Sequence, residues 1–486
     1  MEWLARLSAH PWFWYVYVFA ALEILGLICA MTAIMRARTS QGATAWAISL
    51  LTIPYLAVPL FLIFGSRNFQ GYVSRRKTSD AKLNREWKEF RDYFEKARCR
   101  KKGDSQRLDV FESLAEVPFT CARSLTLLQD GEQFFPALKE ALLAAKESIC
   151  FQFYVFKDDE IGLEIGEVLK EKARAGVKVH ILYDSLGSQS AHRRFFRDLG
   201  KAGCEVAPFV STRFRLPTFR FQINFRNHRK LVIVDNDVAF VGGLNVGDEY
   251  LSRDKKIGRW RDTHLKIVGS PAIQGLQCFV ADWYWSTSKV IDFKAQQAVE
   301  KIGGDSPTLI LATGPVGLRE NGSLGMLNAI HGAQKRLWIS TPYFVPDEQI
   351  IAALQLAALR GVDVRVVVAK KTDQKIARLA SFTYFDELLP NGIKIYEFKA
   401  GFLHQKVLLV DDELAYVGST NFDNRSFRLN FEIGAWVQAK GFASEVEAML
   451  SRDFSNSALM DIKTIERMTL GRQLACATAR LLAPVL

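Results

Sequence analysis

The sequence lacks the usual signatures of several chemistries. Its seven cysteines include no CxxC pair, and their number is odd. Both features argue against a disulfide framework or a cysteine zinc site. Seven histidines are scattered without an HExxH spacing, so a metalloenzyme has little support and no metal site is expected. No GxxxxGKS/T or GxGxxG loop follows a candidate strand, which leaves out the common nucleotide cradles. No soluble nucleic-acid module is visible, so nucleic acid is not the expected partner. Acidic residues are in deficit: 52 Asp and Glu face 64 Lys and Arg, for a net charge of +12. By itself such an excess suits nucleic acid, an anionic membrane surface or acidic substrates.

What is present starts with two apolar runs. Residues 11–34 are interrupted by one acid, Glu23, and residues 43–64 carry no charge. Each is long enough for a membrane span, which takes about 20 helical residues. A transmembrane helical hairpin over residues 1–66 is expected, and a cleaved signal fits poorly because a second run follows at once. Trp12, Trp14, Tyr15 and Tyr17 stand where an interfacial aromatic belt would. Pro54 and Pro59 lie inside the second run, where membrane helices tolerate proline. Glu23 reads as a protonated carboxyl bonded to the neighbouring helix, or else as a functional acid. Thirteen Lys or Arg fall between Arg67 and Lys102, within a basic membrane-proximal linker over 67–122. That flank should stay in the cytoplasm, and the remainder of the chain with it.

The remainder is written twice. Strand-like segments at 150–156 and 176–183, joined by helical periodicity, are echoed at 337–344 and 361–368. Alternating strands and helices imply a layered α/β fold in each half, over 123–303 and 304–486. The halves converge at two HxK motifs, His228-Arg229-Lys230 and His404-Gln405-Lys406. Each is followed by four residues, then Asp (Asp235, Asp411), and later by Asn (Asn245, Asn421). Both asparagines lie seventeen residues beyond their histidine. In an extended chain His and Lys two apart point to one face. Two imidazoles and two ammonium groups suit a phosphodiester. Lys230 and Lys406 would neutralise its nonbridging oxygens, with Asn245 and Asn421 as neutral donors. One neutral imidazole would attack phosphorus, and the other, protonated, would serve the leaving oxygen. No cofactor is needed.

This constellation resembles the phospholipase D superfamily, whose paired HxKxxxxD motifs form one site across a pseudo-twofold interface. The two amino-terminal runs, the turn bearing Arg36 and Arg38, Thr341-Pro-Tyr-Phe-Val-Pro346 and Asn430-Phe-Glu432 are similar to bacterial cardiolipin synthases. The resemblance implies two phospholipase D-like α/β domains after a membrane hairpin. It also implies a multi-pass enzyme of the bacterial inner membrane, acting on phosphatidylglycerol to give cardiolipin. His228 would be the nucleophile and His404 the general acid and base. Asp235 and Asp411 would mainly support local structure. Glu432 and Asp262 would orient the histidines, crossing between halves: Glu432 with His228 and Asp262 with His404.

Other readings stay open at this point: hydrolysis by water, a nuclease, phosphatidylethanolamine as donor, or a membrane scaffold with a vestigial site. Residues 462–486 mix basic and apolar positions, as a helix lying on the membrane or one packed on the protein would. The loop 211–224, with Arg213, Arg215 and Arg220 among phenylalanines, could guide headgroups or be a plain surface loop.

Overall fold

In the computed structural model the first apolar run folds as one helix, α1 (Pro11–Arg36). Its Trp14–Arg36 stretch, 23 residues, is long and apolar enough to cross a bilayer, alone in that among the described residues. Those residues are 11–65, 69, 72, 81–101, 103–209, 214–215, 218–219, 224–291, 298, 300–316 and 319–486. The chain divides into two compact units, Met1–Gly71 with Ser211–Phe225, and Tyr72–Val210 with Arg226–Leu486.

In the first unit the second apolar run departs from expectation. It folds as two short helices, α2 (Ser40–Thr52) and α3 (Pro54–Phe64). The break falls at Ile53, whose φ of −137° and ψ of 58° are not helical. Proline disfavours the helical conformation in the residue before it and has no N–H for the ladder. Helix α1 meets α2 and α3 through small residues. A Cβ on Gly26 would stand 2.6 Å from the Leu50 carbonyl oxygen. Ala30, Ala33, Ala57, Val58 and Phe61 are buried together beside it. Close approach through small side chains is how helices associate where lipid removes the hydrophobic drive. Glu23 is exposed on α1, so the expected bond to the neighbouring helix is not made. Of the 211–224 loop, the strand pair Phe214–Arg215 and Thr218–Phe219 is described together with Asn224. Arg213, Arg220 and Phe221 lie outside the described residues, as do Arg67, Arg75, Arg76 and Lys77.

The second unit is built on one mixed sheet. Its first-half strands are β1 (Thr120–Gln129), β2 (Ser148–Phe153), β3 (Lys178–Asp184), β4 (Glu205–Phe209), β5 (Leu231–Val234), β6 (Val238–Gly242) and β7 (Thr263–Gly269). Its second-half strands are β8 (Ser306–Thr313), β9 (Arg336–Thr341), β10 (Asp363–Ala369), β11 (Lys394–Phe398), β12 (Val407–Val410), β13 (Leu414–Gly418) and β14 (Asn430–Gln438), with β15 (Ser457–Leu459) at the edge. From the centre outward the first half runs 1-7-6-5-2-3-4, and the second runs 8-14-13-12-9-10-11. Adding seven converts one order into the other. Strands β1 and β8 pair antiparallel in the middle, so both halves share one sheet. Strands β5 and β12 are buried along their whole length, as their unbroken apolar sequences require.

Within the 67–122 stretch, the helix Ala81–Ala97 buries Phe90, Tyr93 and Phe94. Arg98 and Arg100 there pair with Glu112. An isolated bridge between Arg98 and Thr120 brings Cys99 beside Cys121, and the two form a disulfide with Cα atoms 5.2 Å apart. Sequence spacing gave no hint of it, because the partners meet only through tertiary pairing. The other five cysteines are buried and take no part in that disulfide. Near the carboxyl end the helix Leu470–Arg480 packs on the helix Lys375–Leu388, burying Cys476 and Ala479. Its Leu470 and Leu474, and Leu481 just beyond, face outward.

Candidate active site

Each HxK segment is extended and runs into a central strand, His228 and Lys230 into β5 and His404 and Lys406 into β12. What positions them comes from the opposite half. Arg226–Asn227 pairs in parallel with Asn430–Phe431, and the His228 N–H donates to the Phe431 carbonyl at 2.9 Å. In mirror fashion Phe402–Leu403 pairs with Trp260–Arg261, and the His404 N–H donates to the Arg261 carbonyl at 2.7 Å. Glu432 and Asp262 sit at matching places on these partner segments.

The side chains follow the backbone. His228 Nδ1 lies 2.9 Å from Glu432 Oε2 and 3.0 Å from Oε1. His404 Nδ1 lies 2.8 Å from Asp262 Oδ2. Both carboxylates are fully buried. Glu432 accepts from Ser419 Oγ at 2.5 Å and from Asn430 Nδ2 at 3.1 Å. Asp262 accepts from the Thr263 N–H at 2.8 Å. At the place of Ser419 the first half has Gly243, where a Cβ would stand 2.0 Å from Asp262 Oδ1. The shorter carboxylate therefore needs a glycine beside it, and the longer one uses a hydroxyl.

Burial sets the electrostatics. It pulls His228 down to about 4, against the opposing pull of Glu432 and with help from Lys230 and Lys406. His404 also falls to about 4, through burial and then the Lys406 charge. Burial alone would raise both carboxyls, yet His228 and Lys230 hold Glu432 below its ordinary range, and Lys406 and His404 do so for Asp262. Near neutral pH the imidazoles are thus uncharged and the carboxylates ionised. An Nδ1 proton given to the carboxylate leaves each Nε2 lone pair free for chemistry. Burial also depresses both lysines, Lys406 to about 8. Lys230 Nζ donates to the His228 carbonyl at 2.6 Å, and Lys406 Nζ donates to that of His404.

Other expected residues are placed differently. Asp235 and Asp411 do not reach the imidazoles. Asp235 accepts from the N–H groups of Lys146, Glu147 and Ser148, and Asp411 from those of Gln334, Lys335 and Arg336. Seven residues of extended chain, roughly 20 Å, separate each from its histidine. They cap the adjoining loops through these backbone bonds. Asn245 donates to the Tyr250 hydroxyl at 2.7 Å and accepts from the Val155 N–H. Asn421 is hydrogen-bonded to Asp423, and its own Oδ1 is buried with no partner.

The motif's middle residues prove structural. Arg229 is buried with both Asp282 oxygens 2.7 Å away. Gln405 donates to Asp453 at 2.6 Å, and Arg261 grips Asp453 at 2.9 and 3.0 Å. A single charged residue in the largely buried helix Pro271–Thr287 was the available signal for Asp282. The Tyr154 ring, 5.0 Å from the His228 ring, was not singled out from sequence.

Two halves of one sheet that meet at two crossed imidazole–carboxylate pairs define a phospholipase D-like protein. The family model for "Cardiolipin synthase, PLD-like domain" matches residues 138–263 and 326–454, and the chain belongs to that family. It is 39% identical to cardiolipin synthase A of Pseudomonas entomophila over 484 residues, covering 98% of this chain and 99% of that one. Cardiolipin synthase A of Pseudomonas fluorescens is also 39% identical, over 97% of this chain and 98% of that one. Among solved structures, phosphatidylserine synthase from Haemophilus influenzae shares the fold, with a TM-score of 0.61 at 16% identity. That match covers 79% of this chain and 100% of the other.

Proposed function

We propose that the protein makes cardiolipin by phosphatidyl transfer between two phosphatidylglycerol molecules. The carrying observation is the pair of crossed imidazole–carboxylate contacts in a chain 39% identical to cardiolipin synthases over nearly its whole length. The protein is a phosphatidyltransferase of phospholipid biosynthesis. His228 Nε2 attacks the phosphorus of the first lipid, and the bond from phosphorus to the glycerol oxygen breaks. His404 gives its proton to that oxygen, and glycerol leaves. His404 then takes the proton from a terminal hydroxyl of the second lipid. The resulting oxygen attacks the phosphohistidine, which forms cardiolipin and restores His228.

Lys230 and Lys406 face the nonbridging oxygens, with Asn245 and Asn421 beside them. Without substrate both imidazoles are neutral, and an arriving phosphodiester anion raises their proton affinity. In this reading His404 takes up the proton when the donor is bound, while His228 stays neutral for attack. The choice of His228 as nucleophile follows the family pattern.

In this reading the halves 123–303 and 304–486 are related by a pseudo-twofold, which the mirrored strand order supports. Helices α2 and α3 return the chain across the bilayer, so that residues 1–66 anchor it in the bacterial inner membrane. Residues 67–122 follow, and their basic charge favours a cytoplasmic body. The outward leucines of Leu470–Arg480, with Arg472 nearby, suit an anionic membrane surface. The state of Cys99 and Cys121 reports the side: two thiols in cells for a cytoplasmic body, a disulfide for an external one.

The deciding assay uses purified protein in phosphatidylglycerol vesicles with EDTA, following glycerol and cardiolipin together. Equal yields, lost in His228→Ala, are expected. Phosphatidic acid without cardiolipin would make the protein a hydrolase. Product only when phosphatidylethanolamine is added would change the donor.

A further inference from the structure

In the proposed reaction a glycerol unit occupies one place twice. His404 first serves the oxygen of the departing glycerol, and then activates a terminal hydroxyl on the glycerol of the second lipid. Attack and departure at phosphorus are roughly in line, so both oxygens lie away from His228 and toward His404. Each glycerol brings further hydroxyls besides the reacting oxygen, and water brings none. A site that prefers this alcohol to water needs hydrogen-bond acceptors beside His404.

Among the described residues, the second half supplies such acceptors where the first half does not. Asn245 and Asn421 are equivalent by motif, but their oxygens differ. Asn245 Oδ1 accepts the Val155 N–H at 3.1 Å. Asn421 Oδ1 has no partner, on a side chain whose residue is only 6% exposed. The Asn421 amide donates to Asp423, and the first half has Gly247 in place of Asp423. That bond fixes which end of the amide is the oxygen, so the open atom is an acceptor. It suits a ligand O–H and not a phosphate oxygen.

Asp373 supplies the second acceptor. It follows β10 at the place where Ser188 follows β3. Ser188 is fully engaged: its hydroxyl donates to the Tyr154 carbonyl and accepts the Phe156 N–H, both at 3.0 Å. Asp373 is exposed, and its Oδ1 accepts from the Tyr343 phenol. Tyr343 stands just beyond β9, where the first half has Val155. Burial first, and the Asp373 charge second, hold the Tyr343 phenol well above its ordinary range, so it remains the donor. Asp373 Oδ2 keeps its lone pairs for an incoming hydroxyl. Both acceptors adjoin the reacting centre. The charges of Asp373 and Asp423 act on Lys406, whose Nζ lies 3.0 Å from His404 Nδ1. An alcohol carrying an ammonium group would meet the like charge of Lys406, which favours a neutral polyol.

We propose that Asn421 Oδ1 and Asp373, the latter held by Tyr343, bind the free hydroxyls of the glycerol unit seated against His404. This rests on the cardiolipin-forming reading and deepens it. Lys230 and Lys406 hold the phosphate, and the two acceptors choose the alcohol. Transfer is thereby favoured over hydrolysis.

Competition between two alcohols tests this. The enzyme is loaded in phosphatidylcholine vesicles from a phosphatidyl donor with a nitrophenol leaving group, and glycerol and 1-propanol are supplied together at equal concentration. In either case the alcohol oxygen displaces His228 Nε2 from phosphorus, and its proton passes to His404. Wild type should form mainly the glycerol product, because propanol leaves both acceptors unpaired. In Asp373→Ala and in Asn421→Ala the ratio of glycerol product to propanol product should fall about 10- to 100-fold. Asp373→Asn, which keeps an acceptor, should recover part of that ratio. A ratio unchanged in either alanine variant overturns the assignment, and so does wild type that takes both alcohols equally. Wild type that prefers ethanolamine to glycerol overturns it as well, by making the alcohol cationic. Glycerol preference in this assay without cardiolipin from phosphatidylglycerol vesicles would instead sink the parent reading.

Discussion

In the first half, the aspartate buried behind the HxK segment is neutralised from within: Asp282 is held by Arg229 of the same motif. In the second half the matching aspartate, Asp453, is held across the interface by Arg261, while Gln405 supplies only a neutral bond. The same contrast recurs at the imidazoles, where Glu432 with Ser419 on one side answers Asp262 with Gly243 on the other. Strand order and the HxK pair are common to both halves, whereas the ionic support differs. A buried charge needs a partner, but that partner can come from any element that reaches it. Backbone order has no such freedom once strands pair in register. The two histidines thus share a geometry and differ in surroundings, as two distinct roles require.

The comparison can be broken most sharply at the histidines. His228→Ala should abolish cardiolipin formation and any phosphoryl-enzyme adduct. His404→Ala should slow turnover by about 10²- to 10⁴-fold, yet still form the adduct from a lipid with a good leaving group. Adduct formation in the first variant and not the second would exchange the two roles. Next come the small residues beside the carboxylates. Gly243→Ala should nearly inactivate the enzyme, since the new Cβ meets Asp262 Oδ1 at 2.0 Å. Ser419→Ala removes one donor of several and should lower kcat about tenfold. Equal losses in kcat assays would erase the asymmetry.

Stability offers a smaller contrast. Asp282→Asn leaves Arg229 buried without its carboxylate and should cost about 3–5 kcal/mol in denaturant unfolding. Asp453→Asn should cost about 1–3 kcal/mol, because Arg261 keeps Asp130 at 3.0 Å.

The mildest test is acid. His228 and His404 at about 4, and the buried His264 at about 3, bind protons less readily folded than at their ordinary 6.5. Burial is the main cause in each case. Unfolding is then favoured as pH falls from 6.5 toward 4, and full stability holds above that window. Glu432 and Asp262, held below their ordinary range, act in the same direction. His264 rests against Phe134 at 4.2 Å, and both its ring nitrogens are without partners. His264→Leu should therefore flatten the fall of Tm across that window. An unchanged slope would remove His264 from this account.

Some of this was legible early. Apolar patterning marked strands at 150–156, 176–183, 337–344 and 361–368, and the doubled spacing marked the histidines and lysines. The crossing of Glu432 and Asp262 came from family resemblance, and the structure lays those residues against the opposite histidines. The resemblance implied that Asp235 and Asp411 mainly support local structure, and both accept backbone N–H bonds at the far strand ends. Proline at 54 was in view, yet its effect on Ile53 divided an apolar run that composition joins.

By itself the sequence determined the duplication, the α/β pattern, the apolar amino-terminal run and the doubled imidazole–ammonium motif. These depend on periodicity and repetition, which are local or self-referential. Only the tertiary structure decided which carboxylate backs which imidazole, how each buried aspartate is neutralised and where Cys99 finds Cys121. Those outcomes depend on contacts between residues far apart in the chain, and no spacing rule encodes them. Their physical basis is burial: desolvation makes a partner for each charge obligatory, and the fold determines which one is within reach.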